Sequence, residues 1–353
     1  MMNTEIYNVK DSGSPEYCRA ISRGAELLRA GELVAFPTET VYGLGGNGLD
    51  ADACRRIYEA KGRPSDNPLI LHVADFAGIK NIVSRVTETA EKIFAAFMPG
   101  PITVILPRAA CVPDTVTGGL DTVAVRMPDH PVARDLILAA GLPVAAPSAN
   151  ISGRPSPTNG ETVCHDLSGR IRAILDGGST DWGIESTIVD CTEADGEDTV
   201  TILRPGAITA EMLGEIIGTV KQAAPKSAAE TESGLKRAPM APGMKYTHYA
   251  PKAPLTLTMD GTVLQQEYRR RQSCGEQVGL LLFSEDYEAY EAAYKCSLGS
   301  RHDLREIAAG LYDSLRYFDE LPVDSLLCPI VPDEGLGVAV MNRLRKAAGG
   351  RII

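Results

Sequence analysis

At 353 residues the chain exceeds one ordinary domain, and 44% hydrophobic with 23% charged residues describes folded cores, not a disordered or fibrous polypeptide. Eight cysteines without a C-x-x-C pair and five dispersed histidines exclude a zinc ribbon, a redox dithiol or an H-E-x-x-H cage, so any metal is expected to arrive with a substrate. The net charge of −11 falls in residues 1–220, with 18 Lys+Arg against 29 Asp+Glu, while residues 221–353 hold 17 against 17; strong general affinity for nucleic acid is not expected, although a local basic groove stays open.

In chain order, Ser14 and Pro15 open a helix to Ala30, stopped by Gly31, and a strand follows over Leu33 to Phe36. Asp50 caps a second helix that ends at Lys61 and Gly62, and LILHV at 69–73 reads as a buried strand. Further strands are expected at 102–106, 122–126, 144–146, 186–190 and 199–203, with helices at 88–97, 131–140 and 209–217. The longest uncharged apolar run, Leu136 to Gly153, is broken by Pro143 and Pro147, so no bilayer span is expected. Glu5, Lys10 and Asp11 stand where a signal peptide would need its apolar stretch, which favours a cytoplasmic protein.

The Ala-, Ser-, Pro- and charge-rich segment 221–241 reads as a linker. Beyond it the expected order is strand 255–259, helix 261–272, strand 278–283, helices 286–294 and 303–319, strand 325–331 and helix 336–348. The first part is therefore a mixed α/β sheet, the second a small three-layer α/β domain.

Several segments carry candidate chemistry. GLGGNG (43–48) formally matches a dinucleotide fingerprint, but PTETVY separates its first glycine from the preceding strand, where a Rossmann turn needs that glycine at the strand end. Thr38, Glu39, Thr40 and Tyr42 either recognise a small polar molecule or merely cap a turn. In KGRPSDNPL, Lys61, Arg63, Ser65 and Asn67 either clamp a polyphosphate or simply complement a helix terminus. His72 lies among apolar neighbours, as a core histidine would, but one strand's length from the cationic loop, which keeps a ligand role open. Arg126 ends a strand, VAAPSANISGRPSPT leaves another strand with Ser148, Asn150, Ser152, Arg154 and Ser156, and Ser186 and Arg204 stand at strand edges. Without a Walker A sequence, bound phosphate would depend on side chains.

PTETVYGLG, KGRPSDNPL, PGPITVIL, AVRMPDHP, APSANISGRPSPT, ESTIVD, LRPG and APGMKYTHYAP occur in order across about 35–251. Together they resemble the YrdC-like threonylcarbamoyl-AMP synthase family in its long, two-domain form. The resemblance implies a YrdC-like twisted open mixed sheet with flanking helices over 1–220, a linker with a site-covering motif over 221–251, and a smaller three-layer α/β, Rossmann-like domain over 252–353. It implies a nucleotidyltransferase that makes L-threonylcarbamoyl-AMP from L-threonine, bicarbonate and ATP with Mg²⁺, releasing pyrophosphate. Partner proteins would transfer the product to tRNA beside the anticodon, and weak tRNA binding by the chain itself is conceivable.

By motif position, Thr40, His72, Arg126, Ala146 and Ser186 correspond to the threonine and carbamate site. Lys61, Arg63, Asn67, Thr122, Ser148, Ser156 and Arg204 correspond to the ATP site, with Lys61 and Arg63 also the catalytic cations. Tyr246 or Tyr249 would close over the nucleotide. No metal ligand is assigned. In-line attack on phosphorus needs positioning and cations more than a covalent nucleophile, so the lack of a Ser/His/Asp or Cys/His constellation is consistent with this chemistry.

Overall fold

The computed structural model describes residues 2–192, 199–223, 241 and 249–353. Eleven strands form the first sheet: β1 (Glu5–Asn8), β2 (Val34–Phe36), β3 (Gly43–Asn47), β4 (Ile70–His72), β5 (Ile102–Pro107), β6 (Thr122–Arg126), β7 (Val144–Ala145), β8 (Ala173–Asp176), β9 (Thr187–Asp190), β10 (Thr199–Arg204) and β11 (Thr219–Gln222). Their order across the sheet is β1-β8-β2-β3-β7-β4-β6-β5-β9-β10-β11, with parallel and antiparallel neighbours mixed. A second sheet is wholly parallel: β12 (Leu255–Thr258), β15 (Ser325–Pro329), β13 (Val278–Phe283) and β14 (Tyr294–Gly299), in that order.

Local sequence accounts for the helices that frame these sheets. Ser14 accepts the Tyr17 backbone N–H at 3.1 Å and starts helix Pro15–Arg29, which packs on helix Pro131–Ala140. Asp50 caps helix Ala51–Lys61 from its N-terminus, and Gly62, at φ +61°, stops it in the left-handed conformation that favours glycine. That stop fixes where Lys61 and Arg63 leave the helix.

Two expectations change, and the case against a dinucleotide loop holds. The glycine run at 43–48 is largely β3, Gly43–Asn47, held between β2 and β7. A Cβ on Gly45 would come within 2.8 Å of Phe36 Cε1, and one on Gly48 within 2.5 Å of Leu71 Cδ2, so the missing side chains let neighbouring elements close up. The helix expected at 286–294 is a 3-10 turn, Ser284–Ala289, followed after an irregular stretch by β14, which pairs in parallel with β13 from Tyr294 onward. The expected boundary at 220 falls inside β11, and most of 221–251 lies outside the described residues.

Two large hydrophobic cores flank the first sheet, and another fills the C-terminal sheet and its helices. The latter includes Val41 and Ile184 from the first part together with Tyr249, so the C-terminal helices dock beside the β2–β3 connection. No helix of the described residues is long and apolar enough to cross a membrane.

Candidate active site

The β2–β3 connection, the end of helix Ala51–Lys61 and the carboxyl ends of β4 and β6 converge on a cleft of about 750 Å³. Its lining includes Lys61, Arg63, Arg126, Arg154 and Arg204 but one carboxylate, Glu185. A chain acidic overall thus gathers positive charge at one concave place, which suits an anionic ligand.

β4 and β6 run parallel and pair His72 with Arg126, so both side chains issue from the same end of the sheet. His72 is buried, its Nδ1 3.2 Å from the Ile70 carbonyl and its ring edge-on to Phe36. Burial, reinforced by Arg126, brings its pKa down to about 3, so the imidazole is neutral at physiological pH. Arg126 lies 2.8 Å from Glu39 and both are buried. The contact is ionic and not a hydrogen-bonded fork: among the described residues, both Glu39 oxygens and the Arg126 Nε and Nη2 have no hydrogen-bond partner. Buried donors of this kind are costly unless something accepts from them.

Lys61 is 1% exposed, and its Nζ donates to the Asn150 carbonyl at 2.5 Å and to the Ser148 carbonyl. Ser148 Oγ donates to Asn150 Oδ1 at 2.5 Å, so the ammonium and the serine loop brace each other. Burial, with nearby Arg63 adding to it, moves the Lys61 pKa well below the usual lysine value, and an arriving polyanion would oppose that shift. Arg63 is fixed by donating to the carbonyls of Asn67 at 3.3 Å and Pro68 at 3.1 Å.

On the facing side Arg204, at the end of β10, donates to the Ser186 carbonyl at 3.0 and 3.1 Å and to Ser186 Oγ at 3.2 Å. Thr103 Oγ1 shares a 2.8 Å hydrogen bond with the same hydroxyl. Tyr249 roofs the cleft, its ring stacked on Tyr312 at 5.3 Å between centroids. Its φ of +67° is the one positive value for a non-glycine residue among the described positions, a strained backbone held by surrounding packing.

Of the residues expected at the site, Lys61, Arg63, His72, Arg126, Ala146, Ser148, Ser156, Ser186, Arg204 and Tyr249 line this cleft. Thr40 is fully buried just behind it, sharing a 2.8 Å hydrogen bond with the lining residue Thr38. Asn67 is buried with its Oδ1 unpartnered, outside the lining. Thr122 starts β6 at the end opposite Arg126, roughly 13 Å away at strand spacing, and is not brought to the cleft. Tyr246 lies outside the described residues. Among the described residues no three His, Cys, Asp or Glu side chains gather to hold a metal.

Glu185 was missed in the sequence, although it immediately precedes Ser186 in GIESTIVD. It accepts hydrogen bonds from Ser156 Oγ at 2.6 Å, Tyr312 Oη at 2.8 Å and Arg343 Nε at 3.2 Å. Burial alone would raise its pKa, but Arg343 and Arg204 with the two hydroxyls bring it down to about 2, so it stays ionised. No local pattern marked Tyr312 or Arg343, which sit on amphipathic helices more than a hundred residues away.

Comparison with known proteins gives the family. Residues 26–206 match the sequence family described as Telomere recombination, and residues 208–349 match the threonylcarbamoyl-AMP synthase C-terminal domain. The chain is 50% identical over 341 residues to the Bacillus subtilis threonylcarbamoyl-AMP synthase, covering 94% of each, and 46% identical over 337 residues to that of Pyrococcus abyssi, covering 93% of this chain and 94% of the relative. The structure of P. abyssi Sua5 complexed with L-threonine superposes with a TM-score of 0.88 at 43% identity, over 99% of both chains. With two matched domains, full-length relatives and a shared fold, the chain belongs to the threonylcarbamoyl-AMP synthase family.

Proposed function

We infer that the chain makes L-threonylcarbamoyl-AMP from L-threonine, bicarbonate and ATP, and that the cleft between Arg126 and Arg204 is where the reactants meet. The observation that carries this is the convergence of Lys61, Arg63, Arg126 and Arg204 on one cleft in a chain of this family. The threonine amine adds to bicarbonate with loss of water to give a carbamate. A carbamate oxygen then attacks the α-phosphorus while the bond to the β-phosphate bridging oxygen breaks, and pyrophosphate leaves.

On this reading Arg126 presents its guanidinium to the threonine carboxylate, with Glu39 in ionic contact with its Nη2 and fixing it. Neutral His72, Ala146 and the threonine pair Thr38 and Thr40 shape the amino acid subsite. Lys61 and Arg63 take the triphosphate, Ser148 and Ser156 orient the nucleotide, and Asn67, whose carbonyl accepts from Arg63, backs that subsite, while Thr122, at the far end of β6, has no part in it. Tyr249 covers it. The two subsites touch where Arg204 grips Ser186, which places a cation beside the charge that develops at the α-phosphate. Mg²⁺ enters with the substrate as MgATP, held by the triphosphate and water.

The same reading divides the chain into a catalytic unit over 1–220, a covering linker over 221–251 and a C-terminal unit over 252–353. Its product passes in the cytoplasm to proteins that modify tRNA beside the anticodon. Pyrophosphate release by the purified chain with MgATP, omitting threonine and bicarbonate in turn, tests the reaction. Release that needs both is the expected result; release independent of threonine would overturn the reading.

A further inference from the structure

Two buried side chains of the C-terminal part, Arg343 and Tyr312, reach Glu185 on the cleft wall. Arg343, on helix Leu336–Ala347, is 0% exposed, and its guanidinium grips two separate segments of the first part. Its Nε donates to the Glu185 carboxylate at 3.2 Å and its Nη2 to the Glu185 carbonyl at 3.4 Å, while Nη1 donates to the Pro205 carbonyl. Glu185 precedes Ser186 and Pro205 follows Arg204, so both anchors stand one residue from the Ser186–Arg204 contact. Tyr312, on helix Leu304–Tyr317, completes the set by donating to Glu185, whose other oxygen accepts from Ser156.

We propose that Arg343 and Tyr312 are positioning residues: acting through Glu185 and Pro205, they hold Ser156, Ser186 and Arg204 in working geometry, so the cleft is complete only with the C-terminal part docked. The proposal rests on the reading of Ser156 and Arg204 as nucleotide-binding groups. Geometry favours this role over simple adhesion between the parts. Adhesion is already served by contacts outside the cleft lining, such as Arg305, which lies over the Trp182 ring and donates to the Asp181 carbonyl at 3.3 Å, and the Thr158 hydroxyl donating to Asp313 at 2.7 Å. Closeness is enforced as well: a Cβ on Gly183 would fall 2.4 Å from the Ala309 carbonyl oxygen, so the loop leading to Glu185 lies directly on the C-terminal helix. A buried arginine shared between two chain segments fixes their spacing, because its planar fork offers donors at set angles.

The test uses the full chain and measures ATP binding without threonine, together with thermal unfolding and the KM values for ATP and threonine. Tyr312→Phe keeps the ring stacked on Tyr249 and removes the hydroxyl that donates to Glu185 and touches Arg343 and Tyr249. It is expected to stay folded, to weaken ATP binding about fivefold as loss of one hydrogen bond to a charged group would, and to leave the threonine KM within about twofold. Arg343→Lys, which keeps the charge and loses the fork, is expected to weaken ATP binding about tenfold or more. In the Ser156→Ala background the Tyr312→Phe effect should largely vanish, since both act through the same carboxylate.

Wild-type ATP affinity in a folded Tyr312→Phe or Arg343→Lys chain would overturn the proposal, as would threonine and ATP KM values rising together in proportion to lost stability. Should Arg343→Lys fail to fold, Tyr312→Phe carries the decision. If Ser156→Ala alone leaves ATP binding unchanged, the nucleotide reading of Ser156 falls and the proposal with it. A wild-type chain that binds ATP yet releases no pyrophosphate would instead sink the reaction while leaving the positioning result legible.

Discussion

The two sheets each present a crevice at the carboxyl ends of parallel strands, the usual place for a ligand in an open α/β sheet, yet their chemistry differs. Beside β4 and β6, Lys61 is buried and leans only on neutral oxygens, and Arg63 donates to backbone carbonyls. Beyond β13 and β15 the crevice also holds two arginines, but Arg301 pairs with Asp286 at 2.5 Å and Arg345 with Asp333 at 2.6 Å, all partly in solvent. Neutralised and hydrated cations gain little from a new anion, whereas buried ones held by neutral partners have strong reason to bind it. Sheet topology supplies the concavity in both places. Charge compensation decides which one is a site.

Lys61→Met offers the hardest break of this contrast. It removes the buried ammonium between Ser148 and Asn150, and pyrophosphate release should fall by about a thousandfold or more with the chain still folded. Near-normal turnover would remove Lys61 from the mechanism. Arg126→Lys should come next, because an ammonium is a compact point charge without the planar fork that matches a carboxylate while also facing Glu39; a threonine KM raised about a hundredfold, with ATP binding nearly intact, is expected from steady-state titrations.

A pH experiment sharpens the electrostatic side. His72 takes up no proton until about pH 3 in the folded chain, whereas the unfolded chain protonates it near 6.5. The folded pKa is the lower one, so the unfolded state binds more protons between these values and stability is lost as pH falls from about 6.5 to 3. The limiting slope is about 1.4 kcal/mol per pH unit. His72→Gln should flatten that part of the profile in urea unfolding at stepped pH; an unchanged slope would mean the imidazole is charged in the folded chain. Smallest of all should be Arg301→Ala, with turnover and both KM values within about twofold of the parent; a marked loss would place the second crevice in the reaction and dissolve the contrast.

What could be read from the sequence follows from how local each cause is. Caps such as Ser14 and Asp50, and the stop at Gly62, act within a few residues, and the helices they delimit form as expected. β3 escaped because its glycines answer to Phe36, Val144 and Leu71, side chains supplied by other elements. β14 escaped because the partner that makes it a strand is β13, not its own composition. In the cleft the cations declared themselves beside turns and strand ends, but the link from Glu185 to Arg343 joins positions 158 residues apart, beyond any periodic signal.

The edge of the large sheet has a consequence for how the chain is made. β1 has a single partner, β8, with Glu5 aligned to Ala173. At a synthesis rate of roughly 5–20 residues per second, the first strand leaves the ribosome some 10 to 30 seconds before its partner exists. During that interval its unpaired backbone is open to other chains, and pairing so distant in sequence slows closure even after synthesis. Of its four residues, Glu5 and Tyr7 are partly buried while Ile6 and Asn8 face solvent, so the strand offers one limited face to stray partners until the sheet can accept it.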